Sequence, residues 1–330
     1  MKYRNLGLSD LNASAVGLGT WAIGGGPWWG DTDDAESIRA IQASIDEGVT
    51  LIDTAPVYGF GHSEEIVGQA VRGRRDKVVI ATKCGLWWGD DTGTVHFEQD
   101  GRTVRRCLEP RTLRIEVEAS LRRLGTDHID LYQTHAQAVE PFKTPIDDTM
   151  ACLIDLRQEG KIRAVGVSNC SPAQMDEYRA SGVIVSNQPR YSILDRTIEK
   201  SLLPYCRQHD IAVLAYSPLE QGLLTGKIGM DTTFAQKAFR NQLPWFIPDK
   251  RRSVLDLLAG WKSLTDKYAC TLSQLVIAWT IAQPGVTVAL CGARKAADAL
   301  ENARAGSVDL LDEDIALMRS DAEALAPLHV

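Results

Sequence analysis

No apolar run in this chain approaches the roughly 20 residues that a membrane-spanning helix needs. The opening stretch Met1–Asp10 carries Lys2 and Arg4 but neither an apolar core nor a small-residue cleavage site, so export is not expected and the cytoplasm is. There is no CxxC pair either. The seven cysteines (Cys84, Cys107, Cys152, Cys170, Cys206, Cys270 and Cys291) are dispersed and odd in number, which suits reduced, buried thiols better than a disulfide framework. Nor is there a basic excess. A net charge of −7 argues against a broad face for nucleic acid and leaves room for a local basic pocket holding one phosphate. His62, His96, His128, His209 and His329 show no HxxxH spacing, and no metal is expected. Finally, no GxGxxG opens a helix after the first apolar run, since Gly17 and Gly19 are followed by Thr20, Trp21 and Ala22. A dinucleotide-binding Rossmann domain is thereby disfavoured.

What is present is the composition of a water-facing globular fold, 44% hydrophobic and 24% charged over 330 residues, enough chain for a large core. Eight short apolar runs recur along it: Ala15–Leu18, Thr50–Ile52, Val78–Thr82, Ile129–Tyr132, Ile162–Val167, Ile184–Val185, Ile211–Ala215 and Thr287–Leu290. Between them lie segments of helical period, such as Asp34–Glu47 with Ile38, Ile41 and Ile45, and Leu113–Leu124 closed by Gly125. Strand then helix, repeated, predicts βαβ units, and eight of them can close into a (β/α)8 barrel with no exposed edge. Three stretches rich in tryptophan, glycine or proline lack a long amphipathic pattern: Gly24–Gly30, Leu86–Pro110 and Leu219–Pro248. They read as long loops on the barrel's C-terminal face. With no linker or low-complexity tail, one domain spanning 1–330 is expected, with a helical cap near Asp312–Leu325. The polar outer helix faces make a monomer the default.

Asp53, Lys83, His135, Ser168, Asn169, Gln188 and Tyr216 each stand at the downstream end of such a run, and a parallel barrel gathers those ends on one rim. Singly, Asp53 and Lys83 read as a structural ion pair, His135 as a core histidine and Tyr58 as a loop aromatic. Together they form a proton-handling set for a carbonyl or an alcohol. A phenol of pKa about 10 needs help to act near neutrality, which a cation such as Lys83 can give. Asp53 would balance the lysine, and His135 would hydrogen-bond the substrate oxygen. A hydride is still missing, and no side chain supplies one, so a nicotinamide cofactor is implied.

The stretches GLGTW (Gly17–Trp21), DTAPVYGFGHSEEIVG (Asp53–Gly68), ATKCG (Ala81–Gly85), DLYQTH (Asp130–His135), GKIRAVGVSN (Gly160–Asn169), YSPLEQGLLTGK (Tyr216–Lys227) and CGARKAADALEN (Cys291–Asn302) resemble the aldo-keto reductase superfamily, in order and at barrel-strand spacing. The likeness is to bacterial members that act on sugar, polyol and other aldehydes. It implies a barrel binding NADPH or NADP in extended form, with Tyr58 as general acid, Lys83 and Asp53 tuning it and His135 assisting. It assigns Ser168, Asn169 and Gln188 to the carboxamide of the nicotinamide and Tyr216 to its ring. Ser217, Leu219, Gly222 and Leu224 fall to the pyrophosphate, and Gly292, Arg294, Lys295, Asp298, Glu301 and Asn302 to the adenosine. Gly19, Thr20, Trp21, Asp53 and Lys227 complete the implied cofactor contacts.

Arg294 and Lys295 favour a 2′-phosphate, whereas Asp298 stands where the resemblance places arginine or glutamine and would repel it. NADPH is therefore expected, with NADH as the alternative. Trp21, Trp28, Trp29, Trp87, Trp88 and Trp245 fall in the predicted rim loops, and Trp21 and Trp88 are the expected substrate contacts beside Tyr58 and His135. Two other readings stand beside that of a carbonyl reductase. The resemblance extends to NADPH-binding regulatory or redox-sensing subunits with little turnover, and a barrel lysine can also act as a Schiff-base nucleophile in an isomerase or aldolase.

Overall fold

In the computed structural model, which describes residues 1–325, eight parallel strands close into a barrel. They are β1 (Val16–Gly19), β2 (Leu51–Asp53), β3 (Val79–Cys84), β4 (Ile129–Thr134), β5 (Ile162–Ser168), β6 (Ser186–Gln188), β7 (Ala212–Tyr216) and β8 (Val288–Gly292), each pairing with its chain neighbours and β8 with β1. Their outer faces are covered by α1 (Asp34–Asp46), α2 (His62–Ala70), α3 (Pro110–Leu124), α4 (Ile146–Gln158), α5 (Pro172–Ser181), α6 (Leu202–Gln208), α7 (Leu272–Ala282) and α8 (Ala296–Arg304). This is the predicted (β/α)8 architecture. Helix Asp312–Glu323 follows as the expected cap, and helices Pro248–Gly260 and Lys262–Lys267 precede α7.

Two apolar layers follow from the alternation of side chains along each strand. Leu51, Val79, Ala81, Leu131, Ala164, Ala212, Leu214 and Val288 fill the barrel interior. Their neighbours Ile52, Ile80, Tyr132, Val165 and Val213 point outward into the larger layer beneath the helices.

The sixth predicted strand is displaced. Ile184–Val185 lies ahead of β6, whose residues Ser186, Asn187 and Gln188 are polar yet buried, so a search for apolar runs stops short of it. The Leu86–Pro110 stretch is also more than a loop, because Leu86–Trp87, Thr94–Gln99 and Arg102–Arg106 form a three-stranded antiparallel sheet. Its tight turn is Asp100–Gly101, both at positive φ (49° and 74°), a pairing that marks two-residue hairpins. The Leu219–Pro248 stretch holds only short turns of 3-10 helix.

An N-terminal hairpin, Tyr3–Asn5 with Asn12–Ser14, closes the end of the barrel where the strands begin. Its Leu6, Leu11 and Ala13 join the interior cluster. Gly7, at φ +52°, lies so close to the carbonyls of Val185 and Asp210 that a Cβ would sit 2.4 and 2.5 Å from their oxygens. Leu11→Ala should therefore lower stability by about 2–4 kcal/mol in urea denaturation. A loss under about 0.5 kcal/mol would show that the hairpin does not seal the core.

Candidate active site

Period-two alternation decides which polar groups enter the barrel. Val79 and Ala81 point inward on β3, so Lys83 does too, at the top of an apolar column. Its register partner on β4 is Gln133, which shares that face. A side chain at Gly166, the next position around on β5, would meet Gln133 and Ser186, and its absence leaves the amide room to cross. Lys83 has no solvent exposure, and its Nζ donates to Asp53 Oδ1 at 2.6 Å, the Thr54 carbonyl at 2.8 Å and the Tyr58 hydroxyl at 3.2 Å. The other carboxylate oxygen of Asp53 accepts from Gln188 Nε2 at 2.8 Å and Gln133 Nε2 at 3.3 Å. The pair is buried and fully partnered.

Tyr58 rides on the turn after β2. Backbone contact pins this turn to the loop carrying Trp21: Gly59 sits at φ +64°, and a Cβ there would lie 2.3 Å from the Gly24 carbonyl oxygen. The imidazole of His135 meets the Tyr58 ring edge-on at 5.7 Å. Next to them, Asn169 holds a left-handed backbone (φ 54°), donates its amide to the His135 carbonyl at 3.2 Å and accepts from the Tyr216 hydroxyl at 3.0 Å. Ser168 donates to the Gln188 carbonyl at 2.8 Å.

Electrostatics correct one expectation. Burial pushes the Tyr58 phenol above its ordinary value, the Lys83 charge opposes this, and Asp53 reinforces it. Lys83 thus acts in the expected direction and is outweighed. Burial works against the Lys83 ammonium as well, but Asp53 and Tyr58 overcome it and raise its pKa, so no neutral amine is on hand for a Schiff base. Burial, aided by Lys83 and then His96, holds His135 well below the usual imidazole range, leaving a neutral ring.

Asp53, Tyr58 and His135 form the floor of a cleft of about 1000 Å³. Trp21 is the hub of its aromatic wall, with ring centroids 5.1 Å from Trp29, 5.9 Å from Trp28 and 5.1 Å from Phe239, while Phe97 stands 5.2 Å from Trp28. The cleft runs on past Ser217, Leu219 and Gly222 to Gly292, Arg294, Asp298, Glu301 and Asn302. Across this far arm Lys227 bonds Asp298 and Glu301, both at 2.6 Å.

Three predicted residues do not reach the cleft surface. Lys83 lies behind Tyr58. Leu224 is wholly buried in the outer apolar layer. Trp88 packs its ring against Phe60 at 5.2 Å, in an apolar cluster with Val57, Leu86 and Val104 that backs the cleft, and does not itself open onto it. Thr20 borders the cleft, but its hydroxyl is engaged with the Asp53 carbonyl at 3.0 Å and with Ser63 at 2.7 Å. Conversely, His96, Phe97, Arg106, Phe239 and Arg240 line the cleft and are not among the site residues expected from the sequence. The Asp100–Gly101 turn was the signal for the first three. Among the described residues no cluster of histidine, cysteine or carboxylate could hold a metal, and His329 lies outside them.

The far arm has features that fit a dinucleotide. Gly19 and Gly292 are register partners on β1 and β8, and a Cβ on either would find nothing nearer than 3.8 Å, leaving a flat, open floor. Trp29 Nε1, Gln221 Oε1 and Ser273 Oγ are buried beside it without partners among the described residues.

Residues 15–323 match the Aldo/keto reductase family. The chain belongs to that family. Among its relatives, the NADH-specific methylglyoxal reductase of Escherichia coli strain K12 is 45% identical over 327 residues, covering 98% of this chain and 99% of the relative. The glycerol dehydrogenase from Gluconobacter oxydans superposes with a TM-score of 0.87 at 41% identity, covering 99% and 97%. An aldo-keto reductase from Klebsiella pneumoniae in complex with NADPH gives 0.70 at 30% identity, covering 97% and 93%. This aldo/keto reductase is accordingly an NAD(P)-dependent oxidoreductase acting on carbonyl and alcohol groups. No helix among its described residues is long and apolar enough to cross a membrane.

Because the aldo/keto reductase floor rests on one buried ion pair, Lys83→Met should cost about 3–5 kcal/mol by leaving Asp53 charged and without its cation. Adding Asp53→Asn should restore most of that loss in chemical denaturation. A double variant no more stable than Lys83→Met would show the pair is not the source.

Proposed function

We propose that this enzyme reduces small aldehydes and ketones of the sugar and polyol type, with Tyr58 as the proton donor. The observation that carries this reading is the Tyr58 hydroxyl at 3.2 Å from a buried ammonium, beside a neutral imidazole and at the bottom of an aromatic cleft. Relatives named for methylglyoxal and for glycerol support a substrate of about that size. The bound nicotinamide supplies the hydride.

The chain's residues do the rest. A carbonyl oxygen between Tyr58 and His135 gains two neutral donors, and as negative charge builds on it the fixed Lys83 charge behind the phenol strengthens both. Tyr58, held above its ordinary pKa by burial, stays protonated across neutral pH and gives its proton to a developing alkoxide that is far more basic. Gln188, Ser168 and Asn169 would orient the carboxamide and the Tyr216 ring would stack on the nicotinamide. Ser217, Leu219 and Gly222 would follow the pyrophosphate. We also read the chain as one domain, working as a monomer in the cytoplasm.

At the adenosine end, Lys227 is already committed to Asp298 and Glu301, two carboxylates against one ammonium. Arg294 is tied to the Trp29 and Asp31 carbonyls at 3.1 and 3.3 Å. That balance favours NADH, the alternative left open by the sequence beside NADPH, and agrees with the name of the Escherichia coli relative.

Tyr58→Phe should lower kcat by about 10²- to 10⁴-fold while cofactor Kd stays within about twofold. Since the phenol must be protonated for reduction and ionised for alcohol oxidation, the reductive rate of the native enzyme should stay level from about pH 6 to 9 and fall only in more alkaline solution. The oxidative rate should climb over the same range. A Tyr58→Phe enzyme at full rate, or a reductive rate already falling near pH 7, rules out this donor. Fluorescence titration should give NADH a Kd at least about fivefold below that of NADPH, about 1 kcal/mol. A lower Kd for NADPH reverses the assignment.

A further inference from the structure

The hairpin sheet over the cleft carries four cations on itself and its flank, and three are accounted for. Arg102 stacks on Phe60 with its guanidinium 4.4 Å from the ring, Arg105 pairs with Asp91 at 2.8 Å, and Arg111 pairs with Asp90 at 2.8 Å. Arg106 lines the cleft, and no side chain or carbonyl among the described residues partners its guanidinium.

Its direction follows from register. Arg106 stands opposite both Leu86 and Thr94, and directly paired residues share a face of a sheet. Leu86 lines the cleft two residues beyond Cys84, whose carbonyl holds the His135 backbone at 2.8 Å. Arg106 is thus fixed on the His135 side of the cleft. The facing strand has a bulge: Val95 pairs with Arg105 and Phe97 with Val104, leaving His96 as the extra residue. Consecutive residues on a regular strand face opposite sides, yet His96 and Phe97 both line the cleft, which is the re-aiming that a bulge produces. An imidazole is thereby brought to the same wall as the unpartnered guanidinium.

The charges nearby do not cancel it. Asp53 is neutralised by Lys83, and Asp298 and Glu301 lie at the adenosine end on Lys227. A half-buried arginine is always charged and offers a planar fork that suits carboxylate or phosphate oxygens.

We propose that Arg106, with His96 beside it, binds an anionic group on the substrate, so that small oxoacids or phosphorylated aldehydes are preferred to neutral carbonyl compounds. This rests on the carbonyl-reductase reading and narrows its substrate class.

The test pairs each anionic aldehyde with a neutral one of similar size: 4-oxobutanoate against butanal for a carboxylate, and glyceraldehyde 3-phosphate against glyceraldehyde for a phosphate. In at least one pair the native enzyme should favour the anion in kcat/KM by about 10- to 100-fold, the range expected for a hydrogen bond to a charged group. The pair with the larger ratio identifies the anion. Arg106→Met should bring that ratio to within about threefold of one, chiefly through KM, and Arg106→Lys should keep part of it. Without cofactor or turnover, tryptophan fluorescence should report succinate (or inorganic phosphate, for a phosphate site) binding to the native protein and weakening about tenfold or more in Arg106→Met. Equal treatment of charged and neutral aldehydes by the native enzyme, or an undiminished ratio in Arg106→Met, overturns the anion site while leaving carbonyl reduction intact. No oxidation of NADH or NADPH with any aldehyde would overturn the underlying reading, and this one with it.

Discussion

The ion pair between Lys83 and Asp53 governs the rest of this structure. An ammonium at the head of an apolar column is tolerable only where a carboxylate meets it, and that carboxylate only where its second oxygen is also satisfied. Gln133 and Gln188 supply that satisfaction from β4 and β6, so four barrel strands are tied together at one level by polar contacts. The same arrangement explains why β6 is polar. Its Gln188 must reach inward to Asp53, Ser186 lies against the place where a side chain at Gly166 would stand, and Asn187 turns outward to bond the Cys170 carbonyl at 2.8 Å.

Around that fixed floor the rim is made of backbone held in unusual conformations. Asn169, Ser217, Glu220 and Gln221 all have positive φ without being glycine, and they follow β5 and β7 closely. Such conformations cost free energy and persist where neighbours hold them. Glu220, wholly buried, accepts from Arg190 and Ser192, both at 2.5 Å, and so anchors the turn that begins the long Leu219–Pro248 stretch. The rigidity of this edge comes from side-chain bonds more than from regular secondary structure.

Much of this was legible in the residues. Seven of the eight strands announce themselves because β-branched residues fill both faces of a covered parallel strand. The convergence of Asp53, Lys83, His135, Ser168, Asn169, Gln188 and Tyr216 follows from their being strand ends. What escaped depends on three-dimensional register. Neither the polar run Ser186–Asn187 of β6 nor the bulge at His96 has an apolar signature. Trp88 and Leu224 fall outside the cleft for a related reason: both stand in irregular segments, where the apolar cluster a side chain joins decides which way it faces, and sequence spacing does not choose. The direction of the Tyr58 shift could not be read either, since it is set by the competition of burial and Asp53 with Lys83.

The sheet formed by Leu86–Trp87, Thr94–Gln99 and Arg102–Arg106 hydrogen-bonds to no barrel strand. It hangs from the barrel as an appendage, attached where β3 ends and α3 begins. Lengthening it, or changing the residues along its inner surface, would therefore leave the strand register beneath Lys83 undisturbed. The buried ion pair and this side wall of the cleft are thus specified by separate stretches of chain that meet only through packing, where Leu86 and Val104 rest against Val57 beside Tyr58.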